Sequence, residues 1–78
     1  MESILEQLQQ LLRDYTGIPD ISIDETTLLA TDIGLDSYDL ACMMGEAEER
    51  FDIVITDRDL LSMLTIGDVV NYIEAHTP

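Results

Sequence analysis

Asp36-Ser37-Tyr38-Asp39-Leu40-Ala41-Cys42-Met43-Met44-Gly45-Glu46-Ala47-Glu48-Glu49-Arg50-Phe51 is the stretch whose reading decides the fold. Leu40, Met43, Met44, Ala47 and Phe51 recur at the spacing of a helix with one buried face. Tyr38, Ala41, Cys42, Gly45, Glu48 and Glu49 fall on the opposite, outward face. Asp36-Ser37 opens the helix. Ser37 is expected to be its N-cap, and Asp36 and Asp39 suit the positive end of the helix dipole.

The same period appears on both sides of this stretch. Upstream, Ile4, Leu5, Leu8, Leu11, Leu12 and Tyr15 form one apolar stripe, which Gly17 and Pro19 terminate. Downstream, Thr56-Asp57-Arg58-Asp59 starts a short helix carrying Leu60, Leu61 and Leu64. Thr65 caps a last helix with Asp68 at the capping-box position, and Ile66, Val69, Val70 and Ile73 form its stripe. His76-Thr77-Pro78 is expected to fray. Between Gly17 and Asp36 no period holds. Ile18, Ile21, Ile23, Leu28, Leu29, Ile33 and Leu35 nevertheless make this segment one that packs across helices, with a short helical turn near Leu28-Leu29. Ile53-Val54-Ile55 reads as a short extended link that buries apolar side chains. The expectation is a single all-α domain over residues 1–78. It is a four-helix bundle of three main helices and one short one, with a long first loop.

Charge narrows the function. Seventeen Asp and Glu stand against three Arg and no Lys, a formal net charge of −14. Nucleic-acid binding needs cations to replace phosphate counterions, and an anionic membrane surface repels such a chain. A basic protein partner is favoured, because opposite fields steer encounter. Self-repulsion should destabilise the compact state, so salt or a divalent cation is expected to raise the melting temperature. Cys42 is the only cysteine, which excludes an intrachain disulfide. Met1-Glu2-Ser3 lacks a basic leader and no apolar run approaches a membrane span, so a soluble, cytoplasmic chain is expected. A hydrolase serine needs a base beside it, and the only His is His76 in the tail, so Ser37 is not expected to be catalytic. Asp32, Asp36 and Asp39 lack the spacing of a calcium loop, and no metal site is expected.

Asp32-Ile33-Gly34-Leu35-Asp36-Ser37-Tyr38-Asp39-Leu40 resembles the phosphopantetheine attachment motif of acyl carrier proteins, commonly Asp-Leu-Gly-x-Asp-Ser-Leu. Two further stretches are similar to the same family in register. Glu48-Glu49-Arg50-Phe51-Asp52-Ile53-Val54-Ile55-Thr56-Asp57 resembles its acidic helix end and Phe-x-Ile-x-Ile pattern. Thr65-Ile66-Gly67-Asp68-Val69-Val70-Asn71-Tyr72-Ile73-Glu74 resembles its closing segment. Leu29 stands where the family often has Phe.

The resemblance implies a carrier, not an enzyme. A phosphopantetheinyl transferase would move 4'-phosphopantetheine from coenzyme A to the hydroxyl of Ser37, and Asp36 would help that transferase bind. The arm's thiol would hold acyl groups of a fatty acid, polyketide or specialised pathway as thioesters. Acyl-loading and acyl-processing enzymes with basic patches would dock on Tyr38, Asp39, Ala41, Cys42, Gly45, Glu48, Glu49 and Asp57 of a monomer. Met43, Met44, Leu64, Ile66 and Val69 would line an acyl pocket. Three positions depart from the family: Tyr38 replaces Leu, Cys42 stands where Glu is common, and Gly45 where a bulky apolar residue is common. A specialised carrier is the expectation. Two alternatives stay open: an aminoacyl or peptidyl carrier, and an interaction module that never receives the arm.

Overall fold

The computed structural model describes residues 2–77. Four helices follow in order: α1 (Ile4–Thr16), α2 (Ser37–Phe51), α3 (Asp57–Ser62) and α4 (Ile66–His76). Ser3 caps α1, accepting the Glu6 N–H at 3.1 Å. Gly17 ends it at φ 74°, where its N–H donates to the Arg13 carbonyl at 2.9 Å. A left-handed cap of this kind satisfies a carbonyl that the helix cannot. α1 packs against both α2 and α4. Leu8, Leu12, Met43, Ala47, Ile66, Val69 and Ile73 are fully buried between them. The core is therefore aliphatic, with Phe51 its one ring.

The long first loop is tied down along its length. Gln9 of α1 donates to the Ile21 carbonyl at 2.8 Å. The Asp24 carboxylate accepts the Thr26 N–H and hydroxyl at 2.8 and 2.6 Å, folding the chain locally. Leu28 then forms an isolated antiparallel bridge with Thr65. Around it, Leu29 N–H donates to Leu64 carbonyl at 3.0 Å, Ile66 N–H to Thr27 carbonyl at 2.9 Å and Gly67 N–H to Glu25 carbonyl at 2.9 Å. A loop of this length inside a compact domain needs such anchoring, because its backbone groups must find partners. At the expected helical turn, a single hydrogen-bonded turn runs from Leu28 to Asp32.

Three features differ from the sequence reading. α3 stops at Ser62, leaving Leu64 outside it. The Leu64 and Thr65 N–H groups are instead taken by the Asp68 carboxylate at 2.9 and 3.1 Å. The Ile53–Ile55 link buries Ile53 and half-buries Ile55, but Val54 is 73% exposed because successive side chains of an extended segment point to opposite sides. The expected fraying does not begin at His76. α4 continues through it, with its ring stacked on Tyr72 at 4.0 Å. Pro78, like Met1, lies outside the described residues.

Candidate functional site

The site is the first turn of α2. Gly34 precedes it at φ 87°, a left-handed conformation that L side chains avoid. Leu35 then plugs into the core, and its N–H donates to the Leu29 carbonyl at 3.1 Å. Asp32 anchors the same approach by accepting the Leu28 N–H at 2.8 Å. The chain thus enters α2 from a fixed direction.

Ser37 is not the N-cap. Asp36 is, in extended conformation, with its carboxylate accepting the Asp39 N–H at 2.8 Å. The Asp39 carboxylate faces the Asp36 N–H at 3.5 Å and closes a capping box. Both Asp and Ser make good caps, and the acidic residue three places after Asp36 decides between them. Ser37 is therefore the first helical residue, exposed, with its hydroxyl not engaged as a cap. The helical ladder begins with Leu40 N–H donating to Asp36 carbonyl at 2.9 Å. The Ser37 and Tyr38 N–H groups precede it, in the positive end of the dipole.

Asp39 is turned toward α1. Its carboxylate accepts the Tyr15 hydroxyl at 2.9 Å, and both residues are half-buried. That hydrogen bond, with desolvation and the Asp39 charge behind it, pushes the Tyr15 phenol up to about 12. Tyr38, by contrast, is 75% exposed. Its phenol is raised as well, foremost by a hydrogen bond with the Cys42 thiol one turn along.

The remaining outward residues are spread unevenly. Ala41, Glu49 and Asp57 are exposed, whereas Cys42, Gly45 and Glu48 are half-buried. The Glu48 carboxylate accepts the Ile55 N–H at 2.9 Å, so it also holds the link to α3. Nothing lies within 4 Å of where a Gly45 side chain would begin.

An apolar cavity of about 250 Å³ opens beside Ser37. Leu29, Leu35, Leu40, Leu60, Leu61, Met63 and Leu64 line it, with Asp36 and Ser37. Of the five residues expected to line a pocket, only Leu64 borders this one. Met43, Met44, Ile66 and Val69 are packed in the core instead. Helical period reports which side faces inward and does not separate the centre of a core from the wall of a cavity. The signal that was available is Leu60-Leu61: one short helix cannot bury both, and Leu61 is 84% exposed. A second cavity, about 340 Å³, lies between α1 and α2. It is lined by Leu11, Asp14, Glu46, Glu49 and Arg50, mostly charged and without Ser37.

Comparison with known proteins bears on what this turn does. The family model described as "Phosphopantetheine attachment site" matches residues 6–73. An acyl carrier protein of Clostridium acetobutylicum is 35% identical over 74 residues, covering 95% of this chain and 96% of that one. A solved structure from Mycobacterium tuberculosis, provisionally described as an acyl carrier protein, superimposes with a TM-score of 0.87. It is 29% identical, and the match covers 94% of this chain and 97% of that one.

Proposed function

The chain belongs to the acyl carrier proteins, non-catalytic carriers of covalently attached 4'-phosphopantetheine, and on that premise we propose that Ser37 is its attachment point. One observation carries the proposal: Asp36 takes the cap, so the Ser37 hydroxyl stands exposed and unspent at the start of a long helix. The surroundings fit the group. The first-turn N–H groups favour a phosphodiester at this position. The neighbouring cavity is apolar, and its 250 Å³ is a little below the roughly 300–1,000 Å³ of sites for drug-sized ligands. A short acyl segment is the size of guest it suits. When attached, the arm supplies a thiol that holds an acyl group as a thioester.

Each residue around Ser37 has a distinct part. Asp36 caps α2 through one carboxylate oxygen and keeps the other for the transferase. Gly34 and Leu35 fix the entry of the chain. Leu40, Leu60, Leu61 and Leu64 give the cavity its apolar walls. Tyr38, Ala41, Cys42, Gly45, Glu48, Glu49 and Asp57 form the docking face for acyl-loading and acyl-processing enzymes, whose basic patches complement the chain's net charge of −14. We place the chain as one cytoplasmic carrier domain acting as a monomer. No helix among the described residues is long and apolar enough to cross a membrane. Tyr38, Cys42 and Gly45 give the face beside Ser37 fewer charges, which supports a specialised acyl pathway with its own enzymes. Gly34-Leu35-Asp36-Ser37 favours an acyl over an aminoacyl cargo.

Intact mass spectrometry after incubation with coenzyme A and a broad-specificity transferase tests the attachment. The expected result is a gain of one arm, abolished in Ser37→Ala. No gain in the unaltered chain, or a gain that survives Ser37→Ala, overturns it.

A further inference from the structure

We propose that Tyr15 is a positioning residue for the attachment site. Through Asp39 it fixes how Ser37 and Asp36 are presented to the transferase. The proposal rests on the reading of Ser37 as the attachment point.

The observation is a chain of contacts running from α1 into the first turn of α2. The Tyr15 hydroxyl donates to one Asp39 oxygen at 2.9 Å. The other Asp39 oxygen faces the Asp36 N–H at 3.5 Å, and the Asp39 N–H donates to the Asp36 carboxylate at 2.8 Å. Ser37 and Tyr38 lie between these two aspartates, and both are exposed. The orientation of the turn is thus set by its two ends. Leu35, buried, sets one end. The pinned Asp39 sets the other.

Charge explains why a pin is needed. Asp36 and Asp39 carry like charges within one helical turn, with Asp32 just upstream, and like charges close together are unfavourable. An unpinned Asp39 would swing to solvent and loosen its hold on the Asp36 N–H. The phenol gives Asp39 a donor from the body of the protein, 24 residues away in sequence. Asp36 is then the one carboxylate of the pair left facing outward. A transferase that must grip a carboxylate beside the reacting hydroxyl meets one defined group. Orientation of this kind acts on the rate at saturation, because it changes how often the bound pair is in register.

The test compares Tyr15→Phe, Asp39→Ala and the double variant with the unaltered chain. Phosphopantetheinylation is followed by intact mass, well below each variant's melting temperature. Amide hydrogen exchange of Asp39 and Leu40 is followed by NMR without coenzyme A. Tyr15→Phe keeps the ring and its packing. We expect kcat to fall about fivefold, the value of one hydrogen bond, with KM nearly unchanged. Exchange at Asp39 and Leu40 should rise by a similar factor while residues 43–47 keep their protection. The double variant should be no slower than Asp39→Ala alone. Asp39→Asn keeps an acceptor for the phenol but turns its NH2 toward the Asp36 N–H, so it should recover only part of the rate lost in Asp39→Ala. Unchanged kcat and unchanged exchange at Asp39 and Leu40 in Tyr15→Phe overturn the proposal. So do losses that simply add in the double variant. If the unaltered chain is not modified on Ser37, the attachment reading itself fails; if it is modified and Tyr15→Phe matches it, only the positioning role fails.

Discussion

α2 and α4 begin in the same way and end up in opposite circumstances. Each opens on a capping box, Asp36 with Asp39 and Thr65 with Asp68. At α4 the first two helical residues are Ile66, fully buried, and Gly67. Their N–H groups are consumed by the Thr27 and Glu25 carbonyls of the long loop. At α2 the same two places hold Ser37 and Tyr38, both exposed. The lesson is that the cap alone does not make a functional helix start. What distinguishes the two is whether the neighbouring backbone has claimed the first N–H groups. At α4 the dipole end is spent on joining the loop to the bundle. At α2 it remains available for a phosphate.

The largest effect should come from forcing a side chain into the closed end. A Cβ on Gly67 would lie 2.9 Å from the Glu25 carbonyl oxygen, so Gly67→Ala must push the loop away or break its hydrogen bond. A loss of about 1–3 kcal/mol is expected in urea unfolding. The matching change at the open end, Tyr38→Ala, should stay within about 0.5 kcal/mol. A result in which the two cost the same would erase the contrast.

Removing the caps should be next in size. Thr65→Ala and Asp36→Ala should each cost about 1 kcal/mol of stability. Only Asp36→Ala should also slow attachment of the arm, and parallel melting and mass measurements separate the two effects.

Gly45 tests the outer face in the other direction. It sits mid-helix with open space around it, so Gly45→Ala should stabilise the chain by about 0.5–1 kcal/mol. A destabilised variant would mean that the glycine serves packing within the chain.

Titration gives the finest contrast. The Tyr15 phenol titrates at about 12 when folded, against about 10 in an unfolded chain. The folded state holds that proton longer, so the stability it contributes is complete below pH 10 and lost as pH rises toward 12. Unfolding curves across this range should steepen in their pH dependence, and Tyr15→Phe should remove that part. Asp68 behaves oppositely. The Leu64 and Thr65 N–H groups hold its carboxyl below the ordinary range, so its contribution is present above that range and disappears as acid protonates it. Amide exchange at Leu64 and Thr65 should report this loosening.

The helices were legible because their stripes are long and regular. Leu8, Leu12, Met43, Ala47, Val69 and Ile73 all point where their spacing placed them. The capping box of α4 was legible too, from Thr65 and Asp68. The cap of α2 is Asp36 and not the Ser37 that follows it, and the same three-residue spacing, from Asp36 to Asp39, marks it in the sequence. The ties of the long loop were out of reach, since Leu28 and Thr65 are far apart in sequence and no period links them. The cavity was legible only at Leu64. Its other walls come from α3, from the start of α2 and from the loop on either side of Gly34, and their meeting is a property of the assembled bundle. The contact of Tyr15 with Asp39 was hidden for a related reason: Tyr15 reads as one more apolar stripe position, and its hydroxyl matters only once α1 and α2 are side by side.

α3 is six residues long, and no residue in it is fully buried. Tyr72 holds its start, with a hydroxyl 2.8 Å from the Val54 carbonyl and 3.0 Å from the Asp59 carboxylate, and buried Met63 holds its end. Between those two pins, Leu60 and Leu61 form one wall of the cavity while committing little surface to the core. In mechanical terms the cavity has a stiff coordinate and a soft one. Ser37 sits on the stiff side, fixed by the core through Leu35 and by α1 through Asp39. The facing wall is a short helix held at its two ends. With Ser37 carrying the arm as proposed, guests of different length would be accommodated on the α3 side while the anchor stays in place.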